Sequence, residues 1–114
     1  MITLYGISNC DTMRKAGKWL DSQDIEWVLH DYRKQGLDLD LAETLVSVFG
    51  IEDLINKRGT TWRKLVPELQ QKLTDPALAP QLIMSYPALI KRPIAFTGSR
   101  DWLIGYDQLL TLAS

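Results

Sequence analysis

A single cysteine, Cys10, follows a short β-prone run and immediately precedes a helical stretch. Unpaired N–H groups at a helix start stabilise an anion, so this position favours a thiolate over a thiol. Arg14 and Lys15 stand one turn further along and add positive charge. Ser8, Asn9 and Thr12 supply small polar groups able to donate hydrogen bonds. The chemistry implied is nucleophilic attack by sulfur. The plainer alternative is a small buried cysteine beside a strand, a common place for this residue type. A Cys-x-x-Cys motif would put a second thiol at residue 13, and that residue is Met13. The chain closes no disulfide of its own, so a redox-active Cys10 needs a thiol from outside. Glutathione is the abundant small candidate in a reducing compartment.

Lys91-Arg92-Pro93 is the second constellation. Proline at the head of a strand suits a sheet entrance, and X-Pro bonds are the ones that adopt cis. Arg92 has the donor fork to clamp a carboxylate or an oxyanion. Taken alone, a solvated loop arginine is the simpler account; pairing with the Cys10 loop is what gives Arg92 a role. Arg58, Arg63 and Lys64 surround Trp62, either as a solvated loop and helix start or as the border of an anion pocket or partner surface. His30 is the only histidine and reads as a structural or solvent-facing ring rather than a catalytic one. Trp19, Trp27, Trp62 and Trp102 read as packing residues rather than stacking platforms.

These groups must be positioned by ordinary elements. Ile2 to Tyr5 and Ile25 to His30 are short β-prone runs. Between them, Met13, Ala16 and Leu20 recur at i, i+3 and i+7, with Gly17 on the same face. That is a βαβ unit with parallel strands and a right-handed crossover. Leu41, Leu45, Val48 and Phe49 share a helix face that stops at Gly50. Residues 56–61 read as a polar loop. A short helix is expected over 67–73, and another from Pro76 to about Met84, or from Pro80 if that proline marks its start. Ile94–Thr97 and Trp102–Ile104 flank Gly98-Ser99-Arg100-Asp101 as a hairpin, and Asp107 is expected to cap a last helix.

The chain has 114 residues, 46% hydrophobic and 24% charged, so one ordinary globular domain is expected. Thirteen basic and fourteen acidic residues give a net charge of −1, which gives no reason to expect direct nucleic-acid binding or an anionic membrane surface. One cysteine excludes an internal disulfide and a zinc site built mainly on thiolates, and no metal is expected. No apolar run approaches a membrane span. The N-terminus reads as a strand rather than a signal peptide, and the expected location is the cytoplasm.

Three segments together resemble a known family: Gly6-Ile7-Ser8-Asn9-Cys10-Asp11-Thr12-Met13-Arg14-Lys15-Ala16, Arg58-Gly59-Thr60-Thr61-Trp62-Arg63-Lys64-Leu65 and Ile90-Lys91-Arg92-Pro93-Ile94. In order and spacing they resemble the glutaredoxin-like arsenate reductases, and within them the small Spx/YffB-type members. The resemblance covers nearly the whole chain. It implies an α/β, thioredoxin-like fold over residues 1–114, with a helical insertion at about 37–86 between an N-terminal βαβ unit and a C-terminal ββα unit. It also implies a nucleophilic Cys10 faced by a cis-proline at Pro93. Characterised arsenate reductases carry histidine four residues before the cysteine; this chain has Gly6. Of their three oxyanion arginines, one matches Arg92. The middle one aligns near Asn56, with Arg58 as a shifted substitute, and the last falls near Gly105.

The function expected from these residues is a glutathione-dependent monothiol reductase. Cys10 is its nucleophile, Ser8, Asn9, Thr12, Arg14, Lys15, Arg58, Arg92 and Pro93 bind substrate or glutathione, and no cofactor is bound. The alternative is an Spx-like adaptor for RNA polymerase or another protein. Arsenate reduction is a third possibility.

Overall fold

The computed structural model of the protein describes residues 1–8 and 10–113. The chain divides into two compact units, Met1–Gly36 with the chain from Arg92 onward, and Leu37–Lys91.

The first unit holds a four-stranded sheet in the order β2-β1-β3-β4. β1 (Ile2–Gly6) and β2 (Trp27–Asp31) are parallel, with Leu4 opposite Leu29 and Gly6 opposite Asp31. The connection between them is α1 (Asp11–Ser22), as the apolar spacing predicts. β3 (Ile94–Phe96) runs antiparallel to β1, and β4 (Trp102–Ile104) antiparallel to β3. Alternation decides the faces. Ile2 and Leu4 of β1 and Ala95 of β3 form one core cluster with Met13, Ala16 and Leu20 of α1 and with Leu109. Burying each of the larger aliphatic side chains contributes about 1.5–3 kcal/mol. Gly17 lets α1 lie close to the sheet, because a Cβ there would stand 2.7 Å from the Trp27 ring.

A four-residue helix, α2 (Tyr32–Gln35), follows β2 directly. The unit ends with α7 (Tyr106–Leu109) and a 3-10 turn over Leu110–Ala113. Asp107 does not cap α7. Gly105 takes that place at φ 87°, in the left-handed region that favours glycine, and Asp107 lies in the first turn.

The second unit is helical. α3 (Leu39–Leu54) starts at Asp38, whose carboxylate accepts from the Leu41 N–H at 2.8 Å. Its helical path breaks at Gly50 (φ 76°), where the stop was expected, and resumes for one turn. α4 (Thr60–Lys64), α5 (Pro67–Lys72) and α6 (Ala79–Ser85) follow. Two expectations need correction. The polar loop gives way to α4 at Thr60, and the helix expected from Pro76 begins only at Ala79, with Pro80 in its first turn. Asp75 instead accepts from the Ala77 N–H at 2.9 Å, closing a turn ahead of the helix. Residues 54–56 and 89–91 are tied by an antiparallel bridge between Ile55 and Ile90, with Asn56 N–H to Leu89 O at 2.8 Å and Lys91 N–H to Leu54 O at 2.9 Å.

Candidate active site

Cys10 is the N-cap residue of α1, with extended backbone (φ −119°, ψ 127°). Its carbonyl accepts the Arg14 N–H at 3.0 Å, while its side chain makes no capping hydrogen bond. The sulfur is therefore not consumed by the helix it starts. Cys10 is partly exposed and lies against the rim of the core cluster. Met13, at the position of a second thiol, is 6% exposed and belongs to that core. Thr12 is half-buried in the first turn of α1. Asn9 lies outside the described residues.

Two of the three cations of α1 already have partners. The Arg14 guanidinium pairs with the Asp11 carboxylate; both side chains are well exposed, at 58% and 95%. An exposed pair of this kind is worth less than about 1 kcal/mol, so Arg14 is cheaply redirected. Lys15 Nζ stands 4.3 Å above the Tyr106 ring, linking α1 to α7.

The loop before Cys10 is held by a residue that the sequence reading passed over. Ser8 donates its N–H to Asp31 Oδ2 at 3.0 Å. Asp31 Oδ1 accepts from the N–H groups of Arg33 (2.8 Å) and Lys34 (3.3 Å), capping α2. Asp31 is 2% exposed. Hydrogen bonding from Ser8 lowers its pKa most, burial opposes this, and the N–H groups of Ser8, Arg33 and Lys34 lower it further; the carboxyl is held at about 2. The available sequence signal was an aspartate followed by a basic turn, which reads as an N-cap. Only the β1–β2 register, placing Gly6 opposite Asp31, brings that cap to the cysteine loop.

On the other side of β1, the Arg92–Pro93 peptide is cis. Pro93 is fully buried, and its carbonyl accepts the Gly105 N–H at 2.8 Å. Arg92 is half-buried and forms no ion pair among the described residues. Near it lies an aromatic group from the strand ends. The Tyr5 ring is 4.9 Å from His30, 5.7 Å from Trp102 and 6.3 Å from Tyr32, nearly parallel to the last. His30 Nε2 lies 2.7 Å from the Gly36 carbonyl. Tyr32 is 3% exposed, and its hydroxyl has no hydrogen-bond partner. Burial pushes its phenol pKa up, the neighbouring Tyr5 adds to the rise, and Arg92 opposes it.

Arg58 belongs to the second unit. Its N–H donates to Asn56 Oδ1 at 3.1 Å, and its exposed side chain lines a cavity of about 300 Å³ with Glu52, Ile55, Asn56, Lys57 and Lys91. Lys57 sits 3.7 Å from Glu52 and 5.6 Å from the Trp62 ring. Among the described residues, no cluster of His, Cys, Asp and Glu is placed to hold a metal ion, and no helix is long and apolar enough to cross a membrane.

Residues 5–111 match the ArsC family, a span that includes the Cys10 loop, Arg58 and the Arg92–Pro93 bond. The chain belongs to the ArsC family. A solved structure of a YffB protein superposes with a TM-score of 0.88 at 36% identity, covering 99% of this chain and 97% of that one. The fold is accordingly α/β and thioredoxin-like, with Spx/YffB-type relatives. An uncharacterised protein of Haemophilus influenzae is 46% identical over 95% of this chain and 93% of its own length. The global transcriptional regulator Spx 1 of Lactococcus lactis is 32% identical over 95% of this chain and 84% of its own.

Proposed function

We propose that this ArsC-family protein is a glutathione-dependent monothiol reductase with Cys10 as its nucleophile. The observation that carries this is the placement of the chain's only cysteine at the start of the 12-residue α1, partly exposed, with its sulfur free of any capping bond. In the reaction, the Cys10 thiolate attacks the glutathione sulfur of a mixed disulfide between substrate and glutathione. The second sulfur leaves as a thiolate and takes a proton from water. Glutathione thiolate then attacks the Cys10 mixed disulfide, releases oxidised glutathione and regenerates the Cys10 thiolate. Arg92 contributes a cation for the glutathione carboxylates; the Pro93 backbone, with no N–H and its carbonyl already accepting from Gly105, offers an incoming peptide-like thiol only the second lone pair of that carbonyl. Ser8, Thr12, Arg14 and Lys15 supply the remaining polar contacts, with Asn9 and Arg58 as further candidates. The compartment that suits this chemistry is the reducing cytoplasm.

Intact-mass measurement after treatment with oxidised glutathione tests the proposal. One glutathionyl group should add at Cys10, and Cys10→Ser should remove it. If the folded protein stays unmodified under conditions that modify an unfolded control, Cys10 is a packing residue and the proposal fails.

The Spx 1 relative supports a second reading, an adaptor that docks on RNA polymerase or another protein. Pull-down with wild type and Arg92→Ala, recovering no polymerase subunit with either, would count against it. The family also motivates arsenate reduction, but Gly6 leaves this chain without the histidine expected four residues before the cysteine. An assay coupled to glutathione and glutaredoxin decides that case.

A further inference from the structure

A helix cap needs one oxygen, and serine, threonine or asparagine supplies it without burying a charge. At the start of α2 the chain buries a carboxylate instead. Asp31 is 2% exposed, and no other charged residue among those described is buried. A buried charge is costly unless its oxygens are bonded, so a use for the second oxygen is expected. The two oxygens serve different segments. Oδ1 accepts from the Arg33 and Lys34 N–H groups and caps α2; Oδ2 accepts the N–H of Ser8, 23 residues away in sequence, at 3.0 Å. The Asp31 N–H in turn donates to Gln35 Oε1 at 2.7 Å, which fixes the aspartate itself to α2.

Ser8 stands midway between the end of β1 and the nucleophile. Behind it, Gly6 pairs with Asp31 and faces Met13. Ahead of it, Cys10 opens α1, and its carbonyl accepts the Arg14 N–H at 3.0 Å. The Cys10 side chain makes no capping bond, so the sulfur takes its place from the backbone beneath it. That backbone is held by α1 on one side and by the Ser8–Asp31 bond on the other. Hydrogen bonding from Ser8 keeps the carboxyl at about 2, so the anchor stays charged throughout the range in which thiols react.

We propose that Asp31 is a positioning residue for Cys10: its second carboxylate oxygen, by holding Ser8, fixes the backbone from which the sulfur meets a disulfide. The part that concerns the disulfide rests on the reductase reading given above. Thiol–disulfide exchange asks more of position than a simple alkylation does. The attacking sulfur must line up with both sulfurs of the bond it breaks. A displacement of about 1 Å near a reacting atom can cost on the order of a hundredfold in rate. A loop freed at Ser8 lets Cys10 wander from that line without changing the thiol itself. Asp31 touches neither reagent; it acts through Ser8.

Asp31→Ser separates the two oxygens. The serine hydroxyl caps α2 but offers no second acceptor to Ser8; Asp31→Ala loses both. Exchange of Cys10 with oxidised glutathione should slow about tenfold or more in both variants, although Asp31→Ser should unfold at a higher urea concentration than Asp31→Ala. Alkylation by iodoacetamide at about pH 10, where the thiol is ionised, should stay within about twofold of wild type. A merely structural role would give neither the split between reagents nor equal exchange defects at unequal stabilities. The proposal is overturned if Asp31→Ser exchanges like wild type, if the exchange rates follow stability, if both reagents slow by the same factor, or if both speed up because Cys10 has become more open. The amide and Cβ resonances of Cys10 give a readout free of any reaction. They should move in Asp31→Ser while those of Lys18, further along α1, hold still; unmoved Cys10 resonances also overturn the proposal. A wild-type Cys10 that is alkylated but does not exchange sinks the reductase reading alone, because the resonances still decide the positioning.

Discussion

Met13 fills the space in which a side chain on residue 6 would stand. A Cβ on Gly6 would lie 2.5 Å from Met13 Sδ and 2.7 Å from its Cε. Residue 6 is where arsenate reductases of this resemblance carry histidine, and residue 13 is where a Cys-x-x-Cys motif would put its second cysteine. The two departures are thus one packing unit. The methionine that replaces a resolving thiol also closes the site to a large residue ahead of the nucleophile.

The first prediction follows from that contact. Gly6→Ala should cost about 1–3 kcal/mol, the usual penalty for overpacking a core. Met13→Ala should cost about 2–4 kcal/mol as a large-to-small change at a buried site. The double variant should be more stable than the sum implies, because truncating Met13 makes room for the new methyl. Urea denaturation of the four proteins gives the coupling. Strict additivity would show that Met13 moves aside freely.

Asp31 yields the second prediction. Asp31→Ala leaves the N–H groups of Ser8, Arg33 and Lys34 without their acceptor and should destabilise the fold by about 2 kcal/mol. Hydrogen exchange should quicken at those three amides before it does in α1. Slow exchange retained at Ser8 would mean that the loop is held by something else.

A pH dependence comes from the same carboxyl. In the folded protein it sits at about 2, below its ordinary 3.8, so the unfolded chain takes up the proton first as pH falls. Its contribution to stability is complete above about pH 4 and drains away between there and pH 2. Acid titration of the denaturation midpoint should show this loss in wild type and a shallower one in Asp31→Ala. Parallel curves would argue against the assignment.

Site variants make the fourth prediction. Arg92→Ala should slow glutathione addition at Cys10 roughly ten- to a hundredfold, the size of a lost charge-assisted contact, without abolishing it. Met13→Cys should let an internal disulfide form between residues 10 and 13 and expel the glutathionyl group, at a cost in stability from the cavity left near Gly6. Time-resolved intact mass distinguishes the capped, internally oxidised and reduced forms. A capped Met13→Cys protein that never sheds its adduct would contradict this.

Much of the first unit was legible because hydrophobic spacing and packing agree there. Met13, Ala16 and Leu20 define one helix face, and all three are buried against β1. Other elements left weaker marks. α4 buries no residue and has no side-chain cap, so neither periodicity nor a capping pattern announced it. Asp107 looked like a cap by residue type, but the positive φ of Gly105 decided where α7 begins. At the site, Cys10, Arg92 and the cis peptide at Pro93 could be singled out from local chemistry. Asp31 could not, since its role arises from strand register: a charged residue at a strand end looks ordinary until the pairing with Gly6 sets it beside the cysteine loop.

With one cysteine in the chain and a thioether packed where a partner would be, any disulfide that Cys10 makes is with another molecule. Its removal is a bimolecular event. A neighbouring thiol acts at an effective concentration that dilution cannot change; here the lifetime of the capped form lengthens in inverse proportion to the free thiol around it. The fraction of protein left capped is then a readout of the surrounding thiol pool, set by the ratio of oxidised to reduced partner multiplied by the exchange constant of Cys10.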